Sequence, residues 1–317
     1  MNDNTKRKVA LFVCHDLLGL VILNSIVPAM KAMGLEPMII NTTNKRNRKF
    51  RVPTPGLVSA CNVRMLEDVI IPFLEDTNET TLDCLTYRQL CRKYALTYME
   101  VQDVNDPAFV DTLEKDAQIT GGISIRFLQI FEPRIIEVFN KKGFMWNLHS
   151  GILGKYKGLL LPYRAIENGE KEYGLTLHEI APGIDEGGIV QIGALPLDSS
   201  KPVMDLYLDT AETAINMVVN GLQALFMNPS IDVMPQPKAQ NAKTYYPNPT
   251  ASEFLRFMEK GVFYIDPTRT LQRIVDFFIP RSLPDNQDLS GALQTFLNAN
   301  GYGSAMVTEK DRTTATG

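Results

Sequence analysis

The feature that most limits what this chain can fold into is a repeated alternation of short apolar strands with helical segments. "KVALFVCH" (8–15) is β-branched and apolar, as suits a strand buried on both faces. "GLVILNSIVPAMKAMG" (19–34) has helical spacing and stops at Gly34, and "EPMIINT" (36–42) is strand-like again. The order resumes with a helix at 86–95, a strand at 96–103 and a helix at 106–116 with Asp106 as cap and Pro107 next. A strand at 117–124, a helix at 132–142 and a strand at 143–150 follow. Two more strands, 173–181 and 187–197, precede a long helix at 203–226. Such β-α-β order predicts an α/β, Rossmann-like domain with a mostly parallel central sheet flanked by helices.

This domain is expected over residues 1–230, and 231–317 is expected to form a smaller C-terminal region, helical at 251–260 and 267–279, with a polar tail. The stretch 44–81 is too long for a plain connection and predicts a helix of its own at 63–75. Its basic run "KRNRKFR" (45–51) reads first as a solvated loop and second as a phosphate contact. The longest apolar stretch, "LLGLVILNSIVPAM", is broken by Asn24 and Pro28 and falls short of the ~20 residues needed to cross a bilayer, so no membrane partner is expected. The net charge of −4 gives no global pull toward nucleic acid. The start lacks a secretory pattern, and Cys14, Cys61, Cys84 and Cys91 show no C-x-x-C spacing. A cytoplasmic protein with free buried thiols is the expectation.

The common cofactor motifs are missing. The first β-α turn reads "CHDLLGLVIL", with one glycine where a dinucleotide fingerprint needs three, and there is neither a P-loop nor G-x-S-x-G. The histidines lack the spacing of a zinc site, so no metal is expected. His15, directly after the first strand, reads as a turn residue. What remains is "NLHSGILGKYKG". Asn147 and His149, two apart, project to one side at the C-terminal end of a strand, the end where open α/β sheets bind ligands. Asp185 lies 36 residues beyond His149 (185 − 149) in a glycine-rich turn. Asparagine, histidine and aspartate brought together make a sensible set for acyl transfer. Imidazolium and amide N–H groups donate to a developing oxyanion, and a carboxylate orients the imidazole and takes a proton from an attacking amine.

N-x-H, a loop ending "KYKG" (155–158), "AIENGE", "YGLTLHE" and "GIDEGGIV", in that order, resembles the folate-dependent formyltransferases over about residues 8–230. The resemblance implies transfer of a formyl group from 10-formyltetrahydrofolate to an amine. It implies Asn147, His149 and Asp185 as the catalytic set. "SIRFLQIF" (124–131) matches the stretch whose backbone holds the pterin ring, which puts Arg126, Phe127 and Leu128 along the folate pocket. "APGID" matches the loop on the ring's other side, adding Ala181, Pro182, Gly183 and Ile184. His178 falls where the family often has a histidine, as site lining or support. The sequence departs from the family in the loop after His149, where His-Pro-Ser-Leu-Leu-Pro is replaced by His149-Ser150-Gly151-Ile152-Leu153-Gly154. Losing both prolines is expected to loosen that loop.

For the acceptor, the resemblance leaves several amines. Residues 231–317 hold nine Lys/Arg and nine Asp/Glu, a poor surface for tRNA, so methionyl-tRNA takes second place. "AKTYYPNPT" resembles the Tyr-Tyr-x-x-Pro stretch of amino-sugar N-formyltransferases, and Tyr245 and Tyr246 read first as packing on the main domain and second as candidate substrate contacts. A small-molecule amine, a nucleotide-linked amino sugar or a hydroxyornithine-like precursor, is the expectation, and a homodimer stays open. A formyltetrahydrofolate hydrolase and a silent folate-binding protein are the readings from other classes. The hydrolases carry a small domain ahead of the catalytic one, for which the first strand near residue 8 is expected to leave no room. The complete Asn-His-Asp set speaks against the silent protein.

Overall fold

The computed structural model describes residues 7–42, 56–227, 231–237 and 245–302; the basic run 45–51 lies outside them. Strand β1 (Arg7–Cys14) is buried on both faces, as its composition demands. Val9, Leu11 and Val13 enter one apolar cluster, while Ala10 and Phe12 enter another on the opposite side of the sheet. Helix α1 (Leu17–Ala32) begins at Asp16, whose carboxylate accepts from the Gly19 N–H at 3.1 Å. After β2 (Leu35–Thr42) a helical stretch runs from α2 (Gly56–Ser59) through two π-helical pieces, Ala60–Arg64 and Leu66–Ile70, into α3 (Ile71–Asp76). The helix expected at 63–75 is therefore present, longer and underwound.

Next come α4 (Tyr87–Tyr94), held by a Thr86–Gln89 capping box, and then β3 (Thr97–Val101). Helix α5 (Pro107–Lys115) is capped by Asp106 as expected. β4 (Ile119–Ile125), α6 (Pro133–Lys142) and β5 (Met145–His149) complete the β-α alternation. The sheet order is β3-β2-β1-β4-β5, all parallel, extended by β7 (Glu172–Glu179) and β8 (Ile189–Pro196) as an antiparallel edge. Strand order reverses between β1 and β4, so the ends of these two strands flank the switch-point crevice of a doubly wound sheet.

Between β5 and β7 the chain makes β6 (Lys157–Gly158) and α7 (Leu161–Glu167). The long α8 (Val203–Met227) packs on α1. Beyond residue 230, β9 (Tyr245–Tyr246) pairs in parallel with β6, and α9 (Ala251–Glu259), α10 (Arg269–Asp276) and α11 (Pro284–Ala299) follow. Phe257, Leu271, Ile274, Leu289 and Leu293 from these helices, and Tyr264 between α9 and α10, join the same apolar cluster as α1 and α8. The core therefore runs across residue 230 without a gap. None of the helices among the described residues is long and apolar enough to cross a membrane.

Candidate active site

β5 and β7 lie side by side, with Asn147 opposite His178 and His149 opposite Thr176. This register places three polar side chains together at the carboxyl end of the parallel sheet. Asp185, in the turn between β7 and β8, completes the group. Its Oδ1 is 3.5 Å from His149 Nδ1 and 3.7 Å from His178 Nε2. The Asn147 amide donates to His178 Nε2 at 3.1 Å, and His178 Nδ1–H donates to the Glu179 carbonyl at 2.7 Å, which fixes the imidazole tautomer. His149 and His178 are buried, so the cluster sits mostly away from bulk water.

The electrostatics follow from that burial. Desolvation pushes the Asp185 carboxyl up, but the charge of His149, the His178 contact and the Gly158 N–H outweigh it and hold the group at about 2. Burial also draws the His149 imidazole below its ordinary value, and the attraction of Asp185 recovers only part. The carboxylate thus stands beside an imidazole whose neutral form burial favours. His149 Nε2–H donates to the Tyr156 carbonyl at 3.1 Å. With Nε2 committed, Nδ1 presents its lone pair beside the Asp185 carboxylate, and the two acceptors face one position.

The loop after His149 is pinned rather than loose. Thr176 Oγ1 donates to the Gly151 carbonyl at 2.7 Å and accepts from the Leu153 N–H at 3.1 Å. The glycine departures have steric causes. A Cβ at Gly151 would stand 2.2 Å from Leu161 Cδ1 and 3.0 Å from His149 Nε2. Gly154 has φ +93°, where proline with its φ near −65° cannot go. The chain has exchanged a loop stiffened by prolines for one stiffened by hydrogen bonds.

On the Asp185 turn, Asp185 itself adopts φ +52°, a left-handed conformation that aspartate tolerates better than most side chains. Gln236 holds it there. Its Nε2 donates to the Asp185 carbonyl at 2.8 Å and to the Gly187 carbonyl at 2.7 Å. Sequence reasoning missed this residue, because "MPQPK" offers only a proline-bearing linker.

The expected folate segments are divided in their disposition. The Arg126 guanidinium grips Asp16 through Nε and Nη2, both at 3.0 Å, and lies 5.1 Å from the Tyr207 ring. The pair spans the crevice between the ends of β1 and β4, so this side chain serves the scaffold. Phe127 packs on Phe12 and Phe131, whereas Leu128 and Ile184 are 40% and 48% exposed and present apolar surface to solvent. Ala181, Pro182 and Gly183 lead into the Asp185 turn. Tyr246 takes the packing role of its two readings. It is buried against Tyr156 and Leu161, with Arg164 5.4 Å from its ring, and packs the β6–β9 pair; Tyr245 is exposed. His15 Nδ1–H donates to the Glu67 carboxylate at 2.8 Å, and the ring stacks on Tyr87. Among the described residues no group of three or more His, Cys, Asp or Glu is arranged to hold a metal ion.

The doubly wound sheet thus carries Asn147, His149, His178 and Asp185 together at the end of β5, the two histidines buried and the other two partly so. Residues 92–222 match the family model described as formyl transferase. A methionyl-tRNA formyltransferase of Heliobacterium modesticaldum is 29% identical over 142 residues, covering 45% of this chain and 43% of that protein. One of Fervidobacterium nodosum is 24% identical over 213 residues, covering 67% and 59%. The chain thus matches about half the length of these curated relatives. The crystal structure of glycinamide ribonucleotide transformylase 1 from Symbiobacterium toebii has the same fold, with a TM-score of 0.50 at 14% identity over 74% of this chain and 95% of that one.

Proposed function

We propose that this protein transfers a formyl group from 10-formyltetrahydrofolate to the amine of a small molecule. The observation that carries the reading is Asp185, brought from a distant turn to 3.5 Å from His149 and 3.7 Å from His178, with Asn147 bonded to the same His178. The amine nitrogen attacks the formyl carbon, and the proton it must lose goes to the acceptor pair formed by His149 Nδ1 and the Asp185 carboxylate. Once His149 is charged, each nitrogen faces an acceptor, the Tyr156 carbonyl on one side and Asp185 on the other. The site therefore favours the imidazolium as the reaction proceeds rather than at rest. The second N–H of the Asn147 amide is available to the oxyanion. When the bond from carbon to the folate nitrogen breaks, the stored proton passes to that nitrogen, so the exchange balances. The exposed apolar side chains Leu128 and Ile184 suit the pterin-bearing donor. The four free thiols accord with a cytoplasmic setting for this reaction.

A small acceptor is supported by the C-terminal helices. Residues 231–317 carry no net charge, and the described part is helical, with β9 as its one strand among the described residues. The likeness to methionyl-tRNA formyltransferases favours methionyl-tRNA as the second reading.

The test is a formyl-transfer assay that follows tetrahydrofolate release with sugar-nucleotide amines, hydroxyornithine, glycinamide ribonucleotide and charged initiator tRNA, beside a no-amine control. Turnover with a small amine supports the proposal. Turnover with tRNA alone selects the second reading, release without amine points to a hydrolase, and donor binding without turnover rejects catalysis.

A further inference from the structure

Between α10, α11 and the turn joining them, the surface opens into a cleft of about 600 Å³. Arg269, Arg273 and Arg281 line it, together with Thr268, Ser290 and Gln294, and no carboxylate stands among its lining residues. The acidic partners of these arginines sit behind them. Asp205, fully buried, lies 3.2 Å from Arg269 and 3.4 Å from Arg273, Asp209 takes Arg273 at 2.6 Å, and Asp276 takes Arg281 Nε at 2.8 Å. The side chains of Asp209 and Asp276 are 21% and 23% exposed, against 46% and 70% for Arg269 and Arg281. The carboxylates thus stand behind the guanidinium groups, three for three, and the more exposed Arg269 and Arg281 present their remaining N–H donors at the wall of the cleft. Each guanidinium has five N–H donors, more than one carboxylate uses.

We propose that this cleft binds a small phosphorylated anion of about the size of a diphosphate. Guanidinium forks match phosphate oxygens in geometry and charge, and hydroxyl and amide side chains complete a phosphate shell. The lining includes no aromatic ring, so it offers no platform for stacking a nucleobase, and the phosphoryl group is the recognised element. The cleft shares no residue with the Asn147–Asp185 cluster, and this inference does not depend on the formyl-transfer reading.

Calorimetric titration of the full chain with pyrophosphate at low ionic strength tests it. Gly291 lines the cleft on α11, and a Cβ placed there meets no atom within 4 Å, so Gly291→Glu sets a carboxylate among the arginines without crowding the helix. Saturable binding is expected, weakened about tenfold or more by Gly291→Glu and by Arg281→Gln, and much less by the uncharged Gly291→Gln. Circular dichroism melting confirms that each variant is folded. Absence of saturation at millimolar pyrophosphate overturns the proposal, and so does affinity that Gly291→Glu and Arg281→Gln leave unchanged. Binding of tRNA without pyrophosphate, lost in Gly291→Glu, also overturns it and reassigns the cleft to an RNA backbone.

Discussion

The Tyr156 carbonyl receives the Nε2–H of His149 at 3.1 Å, so a backbone atom seven residues along the loop decides which imidazole nitrogen can act. Only Nδ1 is left, and it faces Asp185. The loop, the tautomer and the proton-accepting edge of the site are one arrangement. A change in any of them should register in the pH dependence of the reaction.

That dependence has a definite sign. Burial lowers the His149 pKa below its ordinary 6.5, so the neutral, proton-accepting form persists to more acid pH. The acid limb of kcat/KM is expected to fall with a midpoint below 6.5. Asp185 raises that midpoint by its charge, so Asp185→Asn should move the limb further down and lower the plateau by ~10²-fold or more. Stability follows the same linkage. Asp185 titrates at about 2 in the fold against 3.8 ordinarily, so its contribution is complete above 3.8 and is lost as pH falls through about 2. His149 resists a proton that the unfolded chain accepts, which erodes stability as pH drops below 6.5. Rate profiles of wild type and Asp185→Asn, with urea unfolding at several pH values, check both signs; an acid limb centred above 6.5 would reject the neutral His149.

Gln236 is expected to act through Asp185 rather than on substrate. Its amide bridges the Asp185 and Gly187 carbonyls and so holds Asp185 at its left-handed φ. Gln236→Leu removes both bonds from a partly buried place, at a cost of about 1–3 kcal/mol in stability. Its kcat should fall about tenfold or more while KM changes little, since a carboxylate displaced by ~1 Å loses its alignment with the imidazole. A kcat equal to wild type would show that the turn holds itself.

Much of this was legible in the chain. The strand-helix alternation was read correctly because each element declares itself locally: Asp106 before Pro107 marks a helix start, and β1 is apolar on both faces because it is buried on both. Asn147 and His149 could be paired because their spacing and strand position are local facts. What remained hidden depends on atoms that sequence does not distinguish. The Tyr156 carbonyl is a backbone group, the Asp16–Arg126 grip joins residues 110 apart, and Gln236 reaches the site from a segment without a periodic pattern. Helix α11 was missed because "PDNQDLSGALQTFLNA" mixes polar and glycine positions, and only its packing through Leu289, Leu293 and Leu297 gives it a face.

Asp16 is expected to be a stability residue first. Its carboxylate caps α1 and takes the largely buried Arg126 guanidinium through two 3.0 Å hydrogen bonds. Asp16→Ala strands that cation and removes the cap, a loss on the order of 3–5 kcal/mol. The double variant Asp16→Ala/Arg126→Met should recover part of the loss, because a buried ion pair costs less to replace than to break. Equilibrium unfolding of the three proteins measures it, and a double variant no more stable than Asp16→Ala would contradict the account.

Restoring the residue type common in the family is expected to harm this protein at Gly154. A proline there must take φ near −65°, whereas the loop holds +93°, and a Cβ would stand 2.4 Å from Pro237 Cγ. The backbone must leave its path, and it cannot do so alone. Tyr156, two residues on, carries the carbonyl that fixes the His149 tautomer, and Leu153, one residue before, donates to Thr176. Gly154→Pro should therefore cost about 3 kcal/mol or more and also shift the acid limb of the rate profile, since Nε2 of His149 loses its acceptor. Gly154→Ala, strained in φ but less constrained, should fall between. Unfolding midpoints and rate profiles for both variants decide it: a Gly154→Pro protein as stable as wild type would mean the loop is loose after all, and its hydrogen bonds to Thr176 would then carry no structural weight.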